Sequence, residues 1–118
     1  MTKELMRSCI DSCLTCAAQC TDCAVSCLQE EEVHHLTECI RLDLECATIC
    51  KAAADLMGMN SSFSKDICRL CADLCLRCAN ECSKHSHMEH CKECADVCRS
   101  CAGRCQEVSS AAIKVGIR

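Results

Sequence analysis

The residues best equipped for chemistry in this chain are its cysteines, which number 19 of 118. They are strictly spaced. One run is Cys9, Cys13, Cys16, Cys20, Cys23 and Cys27; a second is Cys68, Cys71, Cys75, Cys78 and Cys82; a third is Cys91, Cys94, Cys98, Cys101 and Cys105. A looser set, Cys39, Cys46 and Cys50, lies between the first two. Within the three runs the steps alternate between four and three. Thiolate sulfur is a soft ligand, suited to Cu(I), Zn(II) or iron–sulfur clusters, and a thiol can also act as a nucleophile or redox centre.

The spacing yields eight CxxxC pairs, 9/13, 16/20, 23/27, 46/50, 71/75, 78/82, 94/98 and 101/105, which use 16 of the 19 thiols. Two sulfurs on adjacent helical turns can grip one two-coordinate soft cation between them. Cys39, Cys68 and Cys91 are left over, and their in-phase companions four residues away are Asp43, Ser64 and His87. His87–Cys91 reads as a mixed nitrogen–sulfur pair.

An alternation of three and four demands helix. At about 100° per residue the six cysteines of the first run stay within an arc of roughly 80°, an a/d stripe of the kind that points into a bundle. Composition agrees. There are 13 Ala, one Phe and no Trp, Tyr or Pro, which disfavours β-architectures and favours helix. Breakers at Gln29–Glu32, Met57–Ser62 and Ser83–His90 predict four helices over about 4–28, 32–57, 62–84 and 87–108. Gly58 reads as the C-terminal glycine of the second helix, and Ser86 with Glu89 as a capping box for the fourth. Rods of this length with short connections make an all-α, up-down-up-down antiparallel four-helix bundle with a cysteine-lined interior, one domain over residues 1–118. Beside the stripe, Ile10, Leu14, Ala17, Ala24, Leu28, Leu74, Ala79 and Ala95 are placed to pack helix on helix.

Several function classes fall away. A thiol is a small buried hydrophobe and one or two would be ordinary core. Nineteen in phase on four helices displace the Leu, Ile and Val that packing alone would select. A disulfide scaffold fits poorly, because i,i+4 Cβ atoms are about 5–6 Å apart against roughly 3.5–4.5 Å for a disulfide, and the count is odd. No apolar run approaches the ~20 residues that span a bilayer. The N-terminus, MTKELMRSCIDSC, lacks a signal-peptide core, so the expectation is a cytoplasmic protein with reduced thiols. The formal net charge is −4, with no basic patch or aromatic stacking set, which argues against nucleic acid. No Ser-His-Asp set or phosphate loop is present, nor the di-iron bundle's carboxylate pair with a Glu-x-x-His motif on each of two helices, and thiol catalysis needs one or two privileged cysteines rather than a repeat, so no enzyme is expected.

Charge discriminates among the metals. A Zn(II) ion on four thiolates is a net dianion, and several stacked in a low-dielectric interior repel one another. One Cu(I) per thiolate is neutral whatever the bridging. The expected function is therefore high-capacity storage of Cu(I), multiple ions per chain and near one per Cys. A zinc or other soft-metal reservoir, or a thiol redox buffer, is the alternative.

These stripes carry a resemblance. With CIDSCLTCAAQCTDCAVSC, CRLCADLCLRCANEC and CKECADVCRSCAGRC, the chain from about Met6 to Cys105 resembles the bacterial copper storage proteins, four-helix bundles whose inward-facing cysteines bind many Cu(I) ions. The resemblance is to the cytosolic branch and implies a homotetramer. Asp43, in an otherwise cysteine row, departs from the pattern.

Topology gives the stripes a direction. His34, His35, His85, His87 and His90 all fall near the first and third turns, at one end of an up-down bundle. His87 and His90 flank Cys91 and are the expected mouth for entering ions, with His34 and Asp43 as further accessory ligands. The opposite end carries Met1, Met6, Met57, Met59 and Phe63 and is expected to be a hydrophobic plug.

Overall fold

The computed structural model describes residues 2–111. Four helices fill it: α1 (Lys3–Leu28), α2 (Thr37–Gly58), α3 (Ser64–Ser83) and α4 (Glu89–Ser110), with one 3₁₀ turn at Val33–His35 before α2. They run up and down in a ring, each packed on its two sequence neighbours and α4 closing on α1, in a rod of 56 × 19 × 19 Å. Residue 1 and the tail beyond Ala111 lie outside the described residues, so the plug expected of Met1 is not addressed.

The four contacts of the ring are unequal. The α1–α2 and α3–α4 seams are the more extensive, and alanines explain it. Ala17 and Ala24 on α1, Ala47 and Ala54 on α2, Ala72 and Ala79 on α3, and Ala95 and Ala102 on α4 are all buried. Each pair is seven residues apart, so each lies on one flank of its helix beside the cysteine stripe. A side chain of one carbon lets two backbones approach closely. Leu14 and Leu28, expected to pack helix on helix, are instead 50% and 59% exposed on the outside.

The helix ends differ from the sequence expectation in ways the chain explains. α1 is capped by Thr2, whose Oγ1 accepts from the Leu5 N–H at 3.0 Å. α2 starts at Thr37 rather than near 32, because Leu36 is buried and the tight turn before it swings that side chain under the bundle end. At the other end of α2, Gly58 is still helical and Asn60 adopts the left-handed conformation, φ 55°. Ser61 N–H donates to the Leu56 carbonyl at 2.9 Å and Asn60 N–H to that of Met57 at 3.0 Å, a Schellman closure in which Asn replaces the expected glycine. The Ser86–Glu89 capping box does not form: the N-cap of α4 is Met88, extended at φ −95°, ψ 125°, with no side-chain cap bond. The half-buried Met88 packs against the core instead.

Candidate metal centre

All nineteen cysteines are buried free thiols. They form a column along the bundle axis, and their closest contacts cross between helices. Cys39 and Cys82 are 3.4 Å apart through Sγ, Cys46 and Cys75 3.5 Å, and Cys50 and Cys71 3.6 Å. On the other side, Cys20 and Cys98 are 3.6 Å apart and Cys9 and Cys105 3.7 Å. Of the CxxxC pairs, 16/20, 71/75 and 94/98 meet at 3.9 Å. Interhelical pairing is thus tighter than the intrahelical pairing read from the spacing, because facing a/d stripes converge on one axis.

The sulfurs also converge in fours. Cys13, Cys71, Cys101 and Cys105 form one group with all ligand atoms within 4.8 Å of one another. Cys16, Cys46, Cys50 and Cys75 form another, as do Cys16, Cys20, Cys46 and Cys98, and Cys20, Cys78, Cys94 and Cys98. Cys16, Cys20, Cys46 and Cys98 each belong to two groups, so the last three groups share edges, and the first joins them through Cys71, 3.6 Å from Cys50 and 3.9 Å from Cys75. A bridging thiolate can serve two ions at once, which suits a chain of soft cations.

Asp43 is fully buried among these thiols. Its Oδ1 accepts from Cys78 at 3.2 Å, Cys94 at 3.3 Å and Cys82 at 3.6 Å, and its Oδ2 from Cys39 at 3.9 Å. Burial pushes its carboxyl up to about 8, helped by the charges of Cys94 and Cys39. Its carboxyl thus stands inside the sulfur column, at the stripe position where the sequence has Asp in place of Cys. Burial likewise pushes Cys27 up to about 12, with the Cys39 charge adding to it. The other buried polar side chain among the described residues is Ser64, whose hydroxyl donates to the Ser61 carbonyl at 2.8 Å and so serves the turn rather than Cys68. No lysine or arginine is buried among the described residues.

The two ends are distinct. His90 Nδ1 lies 3.5 Å from Cys23 Sγ, 3.6 Å from Cys91 and 3.9 Å from Cys27, closing a mixed group of three sulfurs and one nitrogen. Its Nε2 is 2.9 Å from Glu30 Oε2, which accepts from Nε2–H in the tautomer whose Nδ1 lone pair faces the sulfurs. His87 does not reach Cys91. It precedes α4, so the i,i+4 relation fails, and it is 64% exposed with Nε2 3.9 Å from Glu32. His34 and His35 are exposed on the 3₁₀ turn, their rings 4.0 Å apart. At the far end Met57 Sδ sits 3.5 Å from Cys68 Sγ, and Val108 is buried. Met59 and Phe63, expected in a plug there, are exposed.

Glu30 as the residue that orients His90, and Leu36 and Val108 as end plugs, were not apparent from sequence. Glu30 reads as a solvated loop acid, and only closure of the first turn on the third brings it to the ring.

The family model described as copper storage protein matches residues 2–110. A curated Bacillus subtilis (strain 168) relative, the uncharacterized cysteine-rich protein YhjQ, is 45% identical over 85 residues, 72% of this chain and 79% of its own. The fold is similar to that of a cytosolic copper storage protein from Streptomyces lividans carrying five coppers: TM-score 0.89, 41% identity, 93% of this chain and 96% of that one. It is also similar to the Cu(I)-bound copper storage protein BsCsp3: TM-score 0.85, 44% identity, 90% of this chain and 99% of that one.

Proposed function

The chain belongs to the copper storage protein family, and from that membership we propose how it does the work: it stores multiple Cu(I) ions as cargo on its nineteen inward-facing cysteines, approaching one ion per thiolate. The observation that carries this reading is a continuous column of buried thiols with no buried cation beside it among the described residues. Deprotonating such a column without compensation would place up to nineteen negative charges in a low-dielectric interior. A monovalent soft cation for each proton released keeps the column neutral. No step in this role requires a privileged reactive cysteine, and the family role is storage rather than catalysis.

Cys9 through Cys105 are the proposed ligands, with Asp43 supplying an oxygen at mid-column and His90 a nitrogen at one end. Ions enter at the His90 end, where Glu30 holds the ring against Cys23, Cys27 and Cys91. His87 and His34 stand outside that group and serve at most to collect ions. The exposed Leu14, Val25 and Leu28 on α1 and Leu44 on α2 support self-association of bundles, as a homotetramer. A cytoplasmic location is supported by the Streptomyces relative described as cytosolic. Residues 1–118 act as one domain.

The deciding experiment is an anaerobic titration of the fully reduced protein with Cu(I) against a competing chelator, counting ions per chain. Saturation near the thiol count is expected. Saturation at one or two ions would sink the storage reading.

A further inference from the structure

The seams between the two alanine-zipped hairpins are wide, and they are filled differently. On the flanks of α2 and α3 opposite their alanines stand Leu42, Ile49, Ile67 and Leu74, all packed against the core. The corresponding flanks of α1 and α4 carry Ser8, Ser12, Thr15 and Ser100, with Val97 the one aliphatic side chain packed on the core there, and a groove of about 880 Å³ opens. That volume is in the range of small-molecule sites. Cys101 is the one cysteine lining it. It is also the one cysteine with any exposure, 1%, where the other eighteen have 0%. Its Sγ is 3.8 Å from that of Cys13, so it joins the groove to the column.

The rim is charged. Lys3, Glu4, Arg7 and Asp11 line it from α1 and Arg104 from α4, on a chain whose formal net charge is −4. Neither Lys3 nor Arg7 has an ion-pair partner among the described residues, while Arg104 is 3.0 Å from Glu107. A mixed rim of this kind fits a small zwitterionic peptide thiol, whose carboxylates would meet Lys3 and Arg7 and whose ammonium would meet Asp11 or Glu4.

We propose that the α1–α4 groove is a side port at which a small zwitterionic thiol docks and takes Cu(I) from Cys101. This rests on the storage reading above. The step is ligand exchange without redox change: the Cu–S bond to Cys101 breaks, a Cu–S bond to the incoming thiol forms, and the thiol's proton passes to the Cys101 sulfur. The next ion is then drawn from the rest of the column through Cys71, which shares a four-sulfur group with Cys13 and Cys101 and lies 3.6 Å from Cys50 and 3.9 Å from Cys75.

The test uses Cu(I)-loaded protein under anaerobic conditions, with release read by a chromogenic chelator and glutathione as the probe. Release should accelerate with glutathione and saturate. The double variant Arg7→Glu/Arg104→Glu should lose that acceleration by on the order of tenfold, since oppositely charged clefts raise encounter rates by this much or more. The neutral thiol 2-mercaptoethanol should act equally on both proteins. Cys101→Ser should also lose the acceleration, whereas Arg77→Glu, a charge reversal at an exposed position on α3 outside the groove, should keep it. A linear, unsaturated response that is equal in wild type and the double variant would overturn the port. So would an equal loss with the neutral thiol, or a change of oligomeric mass in the variant, which would make the groove an interface. Ion capacity is counted on the same samples. Low capacity defeats the storage reading itself, and full capacity without charge-selective release defeats only the port.

Discussion

The Nδ1 of His90 lies 3.5 Å from the Sγ of Cys23, although 67 residues separate them in the chain. The contact ties the start of α4 to the last turns of α1 and puts a nitrogen at the end of the sulfur column. Its orientation depends on Glu30, 2.9 Å from the other ring nitrogen. His90→Ala is expected to slow Cu(I) uptake several-fold and to change final capacity by no more than a few ions. Glu30→Gln should slow it less, because the ring nitrogen is kept and the amide oxygen can still accept from Nε2–H, leaving the orienting contact weakened rather than lost. His87→Ala should have little effect. Stopped-flow uptake from a Cu(I)–chelator complex separates the three.

Asp43 occupies a position where the stripe would otherwise place a sulfur, with three thiols donating to its Oδ1. Asp43→Cys adds one thiolate at that point, and saturation should rise by about one ion, because each soft cation can be neutralised by one thiolate. The anaerobic titration reads this directly. An unchanged count would mean that the oxygen already holds an ion there.

The alanine seams predict a stability effect remote from any sulfur. Ala79 is fully buried where α3 meets α4. Ala79→Leu forces three extra carbons into a close backbone approach and should cost about 1–3 kcal/mol. The metal-free protein should melt several degrees lower by circular dichroism. Leu14→Ser, at an outward-facing position, should change monomer stability little and weaken self-association, read as mass in solution by light scattering.

A thiol core packs less volume than a leucine core, so the empty bundle gives up contacts that the cargo restores. Cu(I)-saturated protein should therefore resist urea far better than the metal-free form. Linkage gives roughly 4 kcal/mol per site at a thousandfold excess over Kd. Stripping copper with a chelator should return the lower midpoint.

Charge balance predicts how metals differ. Cu(I) loading should release about one proton per ion, since each ion replaces a thiol proton. Zn(II), with four ligands each, should saturate at about four or five ions. A Zn(II) count equal to the Cu(I) count would overturn the neutrality argument.

Much of this was legible in one dimension. Alternating steps of three and four put each cysteine run on one helical face, and a face made of cysteine has few chemical uses. That reasoning is local, because helical phase depends only on residue number. It led to the all-α bundle, the inward thiols, the soft metal and the odd carboxylate at Asp43. Tertiary structure decided which atoms meet. The tighter sulfur pairs are interhelical, such as Cys39 with Cys82 and Cys46 with Cys75, because facing stripes converge more closely than adjacent turns of one helix. It chose His90 over His87, since the turn Lys84–Met88 takes His87 off the helical phase on which its pairing with Cys91 was read. It made Asn60 rather than Gly58 the left-handed cap, a choice set by where α2 must end for Met57 to meet Cys68. It also opened a serine-lined groove along one wide seam and closed the other with leucine and isoleucine, a difference that exists only once α4 has come back to lie against α1.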